Sequence, residues 1–378
     1  MPKPLPKSVE SVSDSILDVA NFVYQHPELG SEEFQSVEHI VQVLKRHGFS
    51  VEIPFLGMDT AFVTQPFGSG KHVLVMSEYD ALPIGHACGH NLIGAWGVGV
   101  ALALHADNEF KGKLTLVGTP AEEGHGPYAS SKEVIGPEMK RRGVETVFAV
   151  HPDHEWSVGG KRYAIVRHSF VFSGKEAHPA ISPETGVNAV DAAVEFYVSL
   201  KMLRSLVRRD EDVIIAPVIT DGGKAPNIIP GRSEVLVDVR CISAPYINEL
   251  ITQVTLRAEM AASITGCMVE RARVNPICQP AARYPELDSI YYKHAKNYVD
   301  LDDPDITWNR PPIASTDYGN ISQILPSTHL CMKISPTGIQ PHMLKFKEYA
   351  DPATAGDALL TAVAIACDAI KEHVSSGK

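Results

Sequence analysis

Residues 72–104 read HVLVMSEYDALPIGHACGHNLIGAWGVGVALAL, and this stretch decides the fold. A short apolar strand over residues 72–76 is followed by a polar loop and then by an apolar helix over 92–104. The same rhythm continues with a strand at 113–117, a helix at 130–142 and a strand at 144–150. Short apolar strands that alternate with helices predict an α/β fold with a doubly wound, mainly parallel sheet that is covered on both faces.

The pattern changes after residue 162. Strands are predicted at 164–172, 212–219, 234–241 and 267–274, with helices at 186–209 and 245–264. This β-α-β-β-α-β order is the ferredoxin-like arrangement. Because α/β character resumes afterwards, we predict a discontinuous domain of residues 1–162 and 279–378, interrupted by an inserted domain of residues 163–278.

The amino-terminal region reads as two helices that are separated by a break at Pro27 to Gly30. Ser31, which is followed by Glu32 and Glu33, has the form of an N-cap with acidic residues in the first turn of the second helix. A glycine stop at Gly48 predicts where that helix ends.

The composition excludes several classes of protein. Of 378 residues, 44% are hydrophobic and 21% are charged, which excludes a mainly disordered chain. The net charge of −11 argues against nucleic-acid binding. No apolar run approaches the roughly 18 residues that span a bilayer, and the basic start lacks an apolar core of the signal-peptide kind. We therefore expect a cytoplasmic protein with no membrane and no nucleic-acid partner.

Chemically capable residues follow four of the predicted strands. Ligands bind at the carboxyl ends of strands in an open α/β sheet, so the segments after each strand decide the function. Those segments hold, in turn, Asp80, Cys88 and His90; Glu122 and Glu123; His151; and His342. Each segment alone is weak evidence for a functional site. Because all four are expected at one edge of one sheet, together they predict such a site.

These residue types suit zinc, whose usual ligands are thiolate, imidazole and carboxylate. Of the adjacent carboxylates Glu122 and Glu123, one can ligate a metal while the other takes a proton from the attacking water. The alternative is a nucleophilic Cys88 with His90 as its base, which would leave the acidic pair and His151 without a task. The glycines at 94, 97 and 99 do not form the dinucleotide motif and are better explained by close packing of the helix on the sheet.

Several ordered motifs carry a family resemblance. EYDALP at 78–83, HACGHN at 86–91, PAEEG at 120–124, GKEAH at 174–178 and GGKAPNIIP at 222–230 closely resemble the aminoacylase/carboxypeptidase metallopeptidase family of clan MH. The nearer branch looks like the amidohydrolases that include aminobenzoyl-glutamate hydrolase, auxin-amino-acid hydrolase and a mammalian-type dipeptidase. The resemblance covers nearly the whole chain.

The resemblance implies roles for particular residues. The ligands of a two-metal centre would be Cys88, His90, Glu123, His151 and His342. Glu122 would be the general base and later the acid, and Asp80 would orient a ligand. On the inserted domain, His178 would polarise the scissile carbonyl, while Asn227 and Arg240 would lie near the substrate carboxylate. The match around Asp317 is looser, and it leaves the role of that residue open.

The resemblance also implies cofactors and partners. Each subunit would hold two divalent metal ions, zinc first, with manganese or cobalt as alternatives. The inserted domain would act as a lid and would pair two subunits in a homodimer. Whether His178 serves its own subunit or the partner is left open.

These observations predict a metallohydrolase that cleaves the amide bond of an N-acyl amino acid, an aminobenzoyl-glutamate-like amide or a dipeptide. Its water would be activated by metal, with Glu122 as general base. Two alternatives remain at this stage. One is a biosynthetic metalloenzyme that forms or modifies an amide in a specialised metabolite, and the other is a non-catalytic binding protein on the same scaffold.

Overall fold

The computed structural model describes residues 3–376, which divide into two compact units. The first unit holds the described residues up to Lys161, Ala281–Pro311 and those from Asp317 onward, and the second holds Arg162–Pro280 and Pro312–Thr316. The sequence prediction left 312–316 in the first domain. These five residues belong to the second unit because Tyr163 N donates to Ala314 O at 2.7 Å and the Arg240 side chain contacts Ser315 Oγ at 3.4 Å.

The amino-terminal part of the first unit alternates helices and strands. Its elements are α1 (Lys7–Glu10), α2 (Ser13–Gln25), α3 (Phe34–Arg46), β1 (Val51–Glu52), β2 (Phe62–Thr64), β3 (Phe67–Gly68), β4 (His72–Ser77), α4 (His90–His105), β5 (Lys113–Gly118), α5 (Lys132–Arg141), β6 (Thr146–Asp153) and β7 (Ser157–Val158).

The second unit contains a four-stranded antiparallel sheet with two helices. Its elements are β8 (Ala164–Ser173), α6 (Ala189–Leu203), β9 (Ile214–Asp221), β10 (Arg232–Cys241), α7 (Ala244–Thr265) and β11 (Met268–Arg273). The strand order β11-β8-β10-β9 and the β-α-β-β-α-β sequence confirm the ferredoxin-like prediction. Alternate side chains of β8, among them Val166, Phe170 and Phe172, are buried in a core shared with α6 and α7.

The chain then completes the first unit. The remaining elements are α8 (Pro285–Ala295), α9 (Pro304–Asn309), α10 (Tyr318–Ser322), β12 (Ser327–Lys333), α11 (Leu344–Tyr349) and α12 (Pro352–Ser375). The sheet order is β1-β2-β5-β4-β6-β12-β7, with β3 also paired to β5. The four central strands β5, β4, β6 and β12 are mutually parallel, so their carboxyl ends meet at one edge.

Both faces of this sheet are covered, as predicted. One core joins the sheet to α2, α4 and α12, and a smaller core joins it to α5 and α10. The glycines of α4 allow that helix to lie against β4. A Cβ on Gly97 would stand 2.5 Å from the carbonyl oxygen of Met76, and one on Gly94 would stand 2.9 Å from that of Glu78.

Helix α12 is long and apolar enough to cross a membrane, by length and composition alone. The sequence prediction did not anticipate such a segment. More than half of its apolar window is buried inside the protein, and Trp96 of α4 donates a hydrogen bond to the Ala362 carbonyl within it. Its burial in the core of the first unit accounts for its apolar character.

The start of α3 differs from the prediction. The helix begins at Phe34, and Ser31 has a left-handed backbone (φ 70°) that is not an N-cap conformation. The Glu28 carboxylate instead accepts hydrogen bonds from the backbone N–H groups of Gln35 at 3.0 Å and Ser36 at 2.9 Å. An earlier side chain therefore caps the helix, and Ser31 and Glu33 take part in other contacts.

Candidate metal centre

The carboxyl ends of the four parallel strands carry the residues that the sequence singled out, together with Glu78. Glu78, Asp80 and Cys88 follow β4, with His90 at the start of α4. Glu122 and Glu123 follow β5, His151 lies in the last half of β6, and His342 follows β12. His342 is brought to this edge by its backbone, whose N–H donates to the Ala87 carbonyl at 2.8 Å.

Six of these side chains form one cluster. Within each of three groups, the potential ligand atoms lie within 4.8 Å of one another: Cys88, His90 and His151; Cys88, Glu123 and His342; His90, Glu122 and Glu123. Cys88 Sγ is 3.5 Å from His151 Nε2, and Glu123 Oε1 is 3.4 Å from His342 Nε2. The structure therefore brings the five predicted ligands and Glu122 together within the first unit.

Asp80 orients two members of the cluster. Its Oδ1 accepts a hydrogen bond from His90 Nδ1 at 2.7 Å, and its Oδ2 accepts one from Glu123 N at 3.0 Å. His90 Nε2 is consequently turned into the cluster, where it is fully buried and has no hydrogen-bond partner among residues 3–376. An imidazole whose other nitrogen is held by a carboxylate is the usual arrangement of a metal-binding histidine.

His151 is held in the same manner by a carbonyl. Its Nδ1 donates to the Pro152 carbonyl oxygen at 2.8 Å, which leaves Nε2 facing Cys88. His342 differs because its side chain is 57% exposed, so it stands at the rim of the cluster.

The charges of the cluster explain how its members titrate. Burial, together with the carboxylates of Asp317 and Glu123, raises the pKa of Glu122 well above its usual range. Burial alone would also raise the pKa of Glu123, but contact with His342 and the charge of His90 lower it to about 2. The two adjacent carboxylates thus stand in opposite environments, the condition under which neighbouring acids take different roles.

The thiol and the imidazoles also depart from their ordinary values. Burial and the nearby Glu123 raise the pKa of Cys88, while burial and His90 lower the pKa of His151. A bound divalent cation would reverse the first effect, since a coordinating thiol is deprotonated outright. One thiolate, three imidazoles and a carboxylate, with an unpaired buried nitrogen facing them, fit a divalent metal centre.

A buried ion cluster lies beside the ligands, and sequence reasoning missed its central residue. Lys132 is completely buried; its Nζ is 3.0 Å from Glu78 Oε1 and forms an ion pair with Asp317. Burial lowers the pKa of Lys132, but Asp317 and Glu78 outweigh that effect and raise it. Asp317, whose role the sequence left open, is therefore a partner of Lys132. No local pattern around Lys132 signals this position.

Three predicted substrate-site residues belong to the second unit and are described within it. His178 is exposed, and its Nδ1 accepts a hydrogen bond from Ala180 N at 3.2 Å. Asn227 is also exposed, two residues before Ile229, whose N–H donates to the Ala177 carbonyl at 2.9 Å. Arg240 lies on β10 beside Ser315 and Asp238. The unit therefore places the His178 and Asn227 loops next to each other.

Comparisons with known proteins agree with this architecture. The profile of peptidase family M20/M25/M40 matches residues 74–373. The chain is 32% identical to the Xaa-Arg dipeptidase of Mus musculus over 85% of this chain and 77% of that protein. It is 28% identical to one of the p-aminobenzoyl-glutamate hydrolase subunits of Escherichia coli (strain K12), over 77% of this chain and 64% of that protein.

A solved structure has the same fold. The dinuclear metal-binding peptidase of the M20 family from Bacillus subtilis superposes with a TM-score of 0.74 at 17% identity, covering 97% of this chain and 100% of that one. At this identity the likeness shows the shared fold alone, an α/β domain with a smaller antiparallel domain.

Proposed function

This chain belongs to the peptidase family M20/M25/M40 and is a metallohydrolase of amide or peptide bonds, and we propose that it hydrolyses an N-acyl amino acid, an aminobenzoyl-glutamate-like amide or a dipeptide. The observation that carries the proposal is the cluster at the sheet edge, in which five ligand-type side chains and the Glu122 carboxyl group form three overlapping groups of close potential ligand atoms. The names of the dipeptidase and the aminobenzoyl-glutamate hydrolase relatives support the substrate classes.

The proposed ligands are Cys88, His90, Glu123, His151 and His342, which would hold two divalent ions, zinc first. Such ions supply Lewis-acid chemistry that makes water acidic and polarises a carbonyl group. The binuclear M20 peptidase with the same fold supports the number of ions. The thiolate and imidazoles favour zinc, and manganese and cobalt are the alternatives.

Glu122 is the proposed general base. Its carboxylate accepts the proton of the attacking water and later delivers it to the leaving amine nitrogen, so that hydrolysis leaves the enzyme unchanged. Its side chain is 8% exposed and lies 3.8 Å from His90, beside the proposed ligands. Asp80 keeps His90 and Glu123 in place during the reaction.

The second unit is the proposed lid. Its His178 would stabilise the negative charge that develops on the carbonyl oxygen, and its Asn227 and Arg240 would bind the substrate carboxylate. The exposed imidazole of His178 and the neighbouring Asn227 loop support this assignment. The domain boundaries proposed for these roles are those of the two compact units.

A direct experiment tests the proposed function. Metal is measured in the purified protein by mass spectrometry, removed with a chelator and restored as zinc, manganese or cobalt. Amine release is followed with dipeptides, N-acyl amino acids and aminobenzoyl-glutamate. We expect activity to disappear with the metal and to return with it, while the Glu122→Gln variant, prepared identically, excludes a contaminating peptidase. Full activity in metal-free protein would overturn the proposal.

We further propose that the protein is a cytoplasmic homodimer that pairs through the second unit. Exposed apolar side chains recur every fourth residue on both of its helices: Val194, Val198 and Met202 on α6; Leu256, Met260 and Ile264 on α7. Ile264 is 73% exposed. Apolar stripes of this kind mark association surfaces.

The dimer is tested by changing this stripe. The double variant Met260→Glu with Ile264→Glu should be monomeric in native mass measurement, because charges would be buried without partners. Val134→Glu is the matched control, since Val134 is an apolar residue of the first unit that is 53% exposed. A double variant that remains dimeric would place the interface elsewhere.

A further inference from the structure

Residues 28–33, in the segment between α2 and α3, contact two of the loops that carry the metal cluster, those after β4 and β5. The Ala81 N–H, next to Asp80, donates to the Glu28 carbonyl at 2.7 Å, and Leu29 forms a bridge with Ala81. The same segment packs against the loop after β5, which holds Glu122 and Glu123. The reaction proposed above assigns this segment no role, although the segment contacts loops that hold the proposed catalytic and metal-binding residues.

Glu33 makes the contact that matters most. It is completely buried, and its Oε1 accepts a hydrogen bond from the backbone N–H of Ala121 at 2.8 Å. Ala121 directly precedes Glu122 and has a left-handed backbone with φ 58°. This conformation is uncommon for a residue with a Cβ, and the buried Glu33 oxygen is one of the groups that contact the Ala121 backbone here.

Two further contacts hold the same loop. Ser31 Oγ donates to the His125 carbonyl at 3.1 Å and accepts from Tyr128 N at 3.0 Å. Gly30 lies so close that a Cβ on it would stand 2.9 Å from Ala121 Cα. The loop is therefore fixed at its start and its end by one short segment that is far away in sequence.

The second oxygen of Glu33 is buried and makes no well-aligned hydrogen bond among residues 3–376, and the Thr60 side chain is a polar neighbour of the carboxyl group. The titratable groups that face the carboxyl are Asp80 and Tyr79, and burial together with Asp80 raises the pKa of Glu33 to about 7. The surroundings of Glu33 therefore disfavour its charged form, while its Oε1 still accepts the hydrogen bond from Ala121 N.

We propose that Glu33 is a positioning residue for the reaction: its carboxyl oxygen holds Ala121 in the left-handed conformation and thereby places Glu122 against the metal centre. The inference rests on the proposed function, because it assigns Glu33 a role through the general base. Glu123 is fixed independently through its own N–H by Asp80. Loss of Glu33 should therefore impair turnover more than metal binding.

The test compares Glu33→Leu, which removes the acceptor at similar volume, with Glu33→Gln, whose amide oxygen can still accept from Ala121. Losing one group that aims a catalytic side chain should lower kcat of the leucine variant by about 10- to 100-fold, with KM and bound metal near wild type. The glutamine variant should restore kcat to near the wild-type value. Equal loss in both variants, or unchanged kcat in the leucine variant, would overturn the proposal.

A second substitution shows whether Glu33 acts through Ala121. Glycine adopts the left-handed conformation without a Cβ penalty. The fold loss caused by Glu33→Leu should therefore be smaller in an Ala121→Gly background than in the native background. Equal losses in both backgrounds would contradict a route through Ala121.

The control is another buried carboxylate of the same unit. Asp288 is 1% exposed and accepts hydrogen bonds from Thr328 and Trp308. Asp288→Leu should lower the unfolding temperature and leave kcat per folded molecule unchanged. If Asp288→Leu reduces kcat as much as Glu33→Leu does, the effect of Glu33 is one of general destabilisation.

Amide hydrogen exchange separates this inference from the proposed function. Exchange of the peptide that covers residues 119–128 should accelerate in Glu33→Leu and stay slow in Glu33→Gln, whether or not any substrate is cleaved. Slow exchange in both variants would contradict the positioning role. If the exchange pattern is as expected but the wild-type protein cleaves no amide, only the proposed function is contradicted.

Discussion

At the scale of single residues, Glu122 and Glu123 are neighbours in the chain with opposite surroundings. Burial and Asp317 raise the pKa of Glu122, whereas His342 and His90 bring the pKa of Glu123 down to about 2 despite burial. Because Glu122 is the proposed proton acceptor, we expect Glu122→Gln to reduce turnover by roughly 10²–10⁴-fold, while its metal content stays near wild type. Turnover and metal content are measured on the same preparation.

Glu123→Gln is the matched variant, since it makes the same chemical change one residue later. It should lose metal as well as activity, because the proposed carboxylate ligand is replaced by an amide. If Glu122→Gln loses metal while Glu123→Gln retains it, the two roles are reversed.

Experiments on Cys88 can distinguish a role as metal ligand from a role as nucleophile. Its Sγ is 3.5 Å from His151 Nε2, and both burial and Glu123 raise the pKa of its thiol, which is unfavourable for a free nucleophilic thiolate. Cys88→Ser should therefore lose metal occupancy, measured by elemental analysis. With a slow substrate, intact-protein mass spectrometry should show no acyl adduct on the native enzyme.

The chemical types at the candidate site could be predicted from sequence because each lies near the carboxyl end of an apolar strand or in the loop that follows it. Glu33 and Lys132 could not, because their partners are distant in the chain. Glu33 meets Ala121 across 88 positions, and Lys132 meets Asp317 across 185. No local periodicity in the sequence indicates such contacts. From the sequence alone, a lysine that is buried at the start of a helix cannot be distinguished from one that is exposed to solvent.

At the scale of elements, regular periodicity explains which parts of the fold could be predicted. The strands and helices of the second unit alternate clearly, and β8 and α7 lie within a residue or so of their expected bounds. The short elements β1, β3 and β7 contain two residues each, which is too few to show a pattern. The start of α3 was misplaced because Glu28, six residues before Phe34, supplies the cap.

The turn before α3 also makes stability depend on pH. The pKa of Glu33 rises from 4.5 in a free chain to about 7 in the folded protein, through burial and Asp80. Because the folded protein binds this proton more tightly than the unfolded chain, protonated Glu33 adds to the free energy of unfolding. This contribution is complete below about pH 4.5 and is lost as pH rises through 7. Between about pH 5 and pH 8, the stability of Glu33→Gln relative to wild type should therefore rise by about 2.5 kcal/mol.

Denaturant unfolding of both proteins across that pH range measures the difference. Glu33→Gln keeps the acceptor and removes the titration, so other groups titrate equally in both proteins and cancel. A difference that stays constant with pH would mean that Glu33 has an ordinary pKa in the folded state.

At the scale of the whole molecule, two units could be predicted from the sequence. The alternation of apolar strands and helices changes near residue 163, and α/β character resumes after residue 278. The sequence did not predict that residues 312–316 return to the second unit, since five irregular residues carry no periodic signal. Neither could the sequence decide whether His178, in the proposed dimer, would serve its own subunit or the partner. His178 lies in the second unit and every proposed metal ligand lies in the first, so its role is a question about the assembly.

Mixing the His178→Ala and Glu122→Gln variants tests whether His178 serves its own subunit or the partner. A group that stabilises a developing oxyanion is worth about 10²–10³-fold, so His178→Ala should lose that much turnover with metal intact. If His178 serves the partner's site, a mixed dimer with Glu122→Gln contains one site with both defects and one with neither. Random exchange in a two-fold dimer would then restore about a quarter of wild-type activity, since half of the dimers are mixed and half of their sites are intact. Absence of recovery, with exchange demonstrated by native mass measurement, would place His178 in its own subunit's site or outside catalysis.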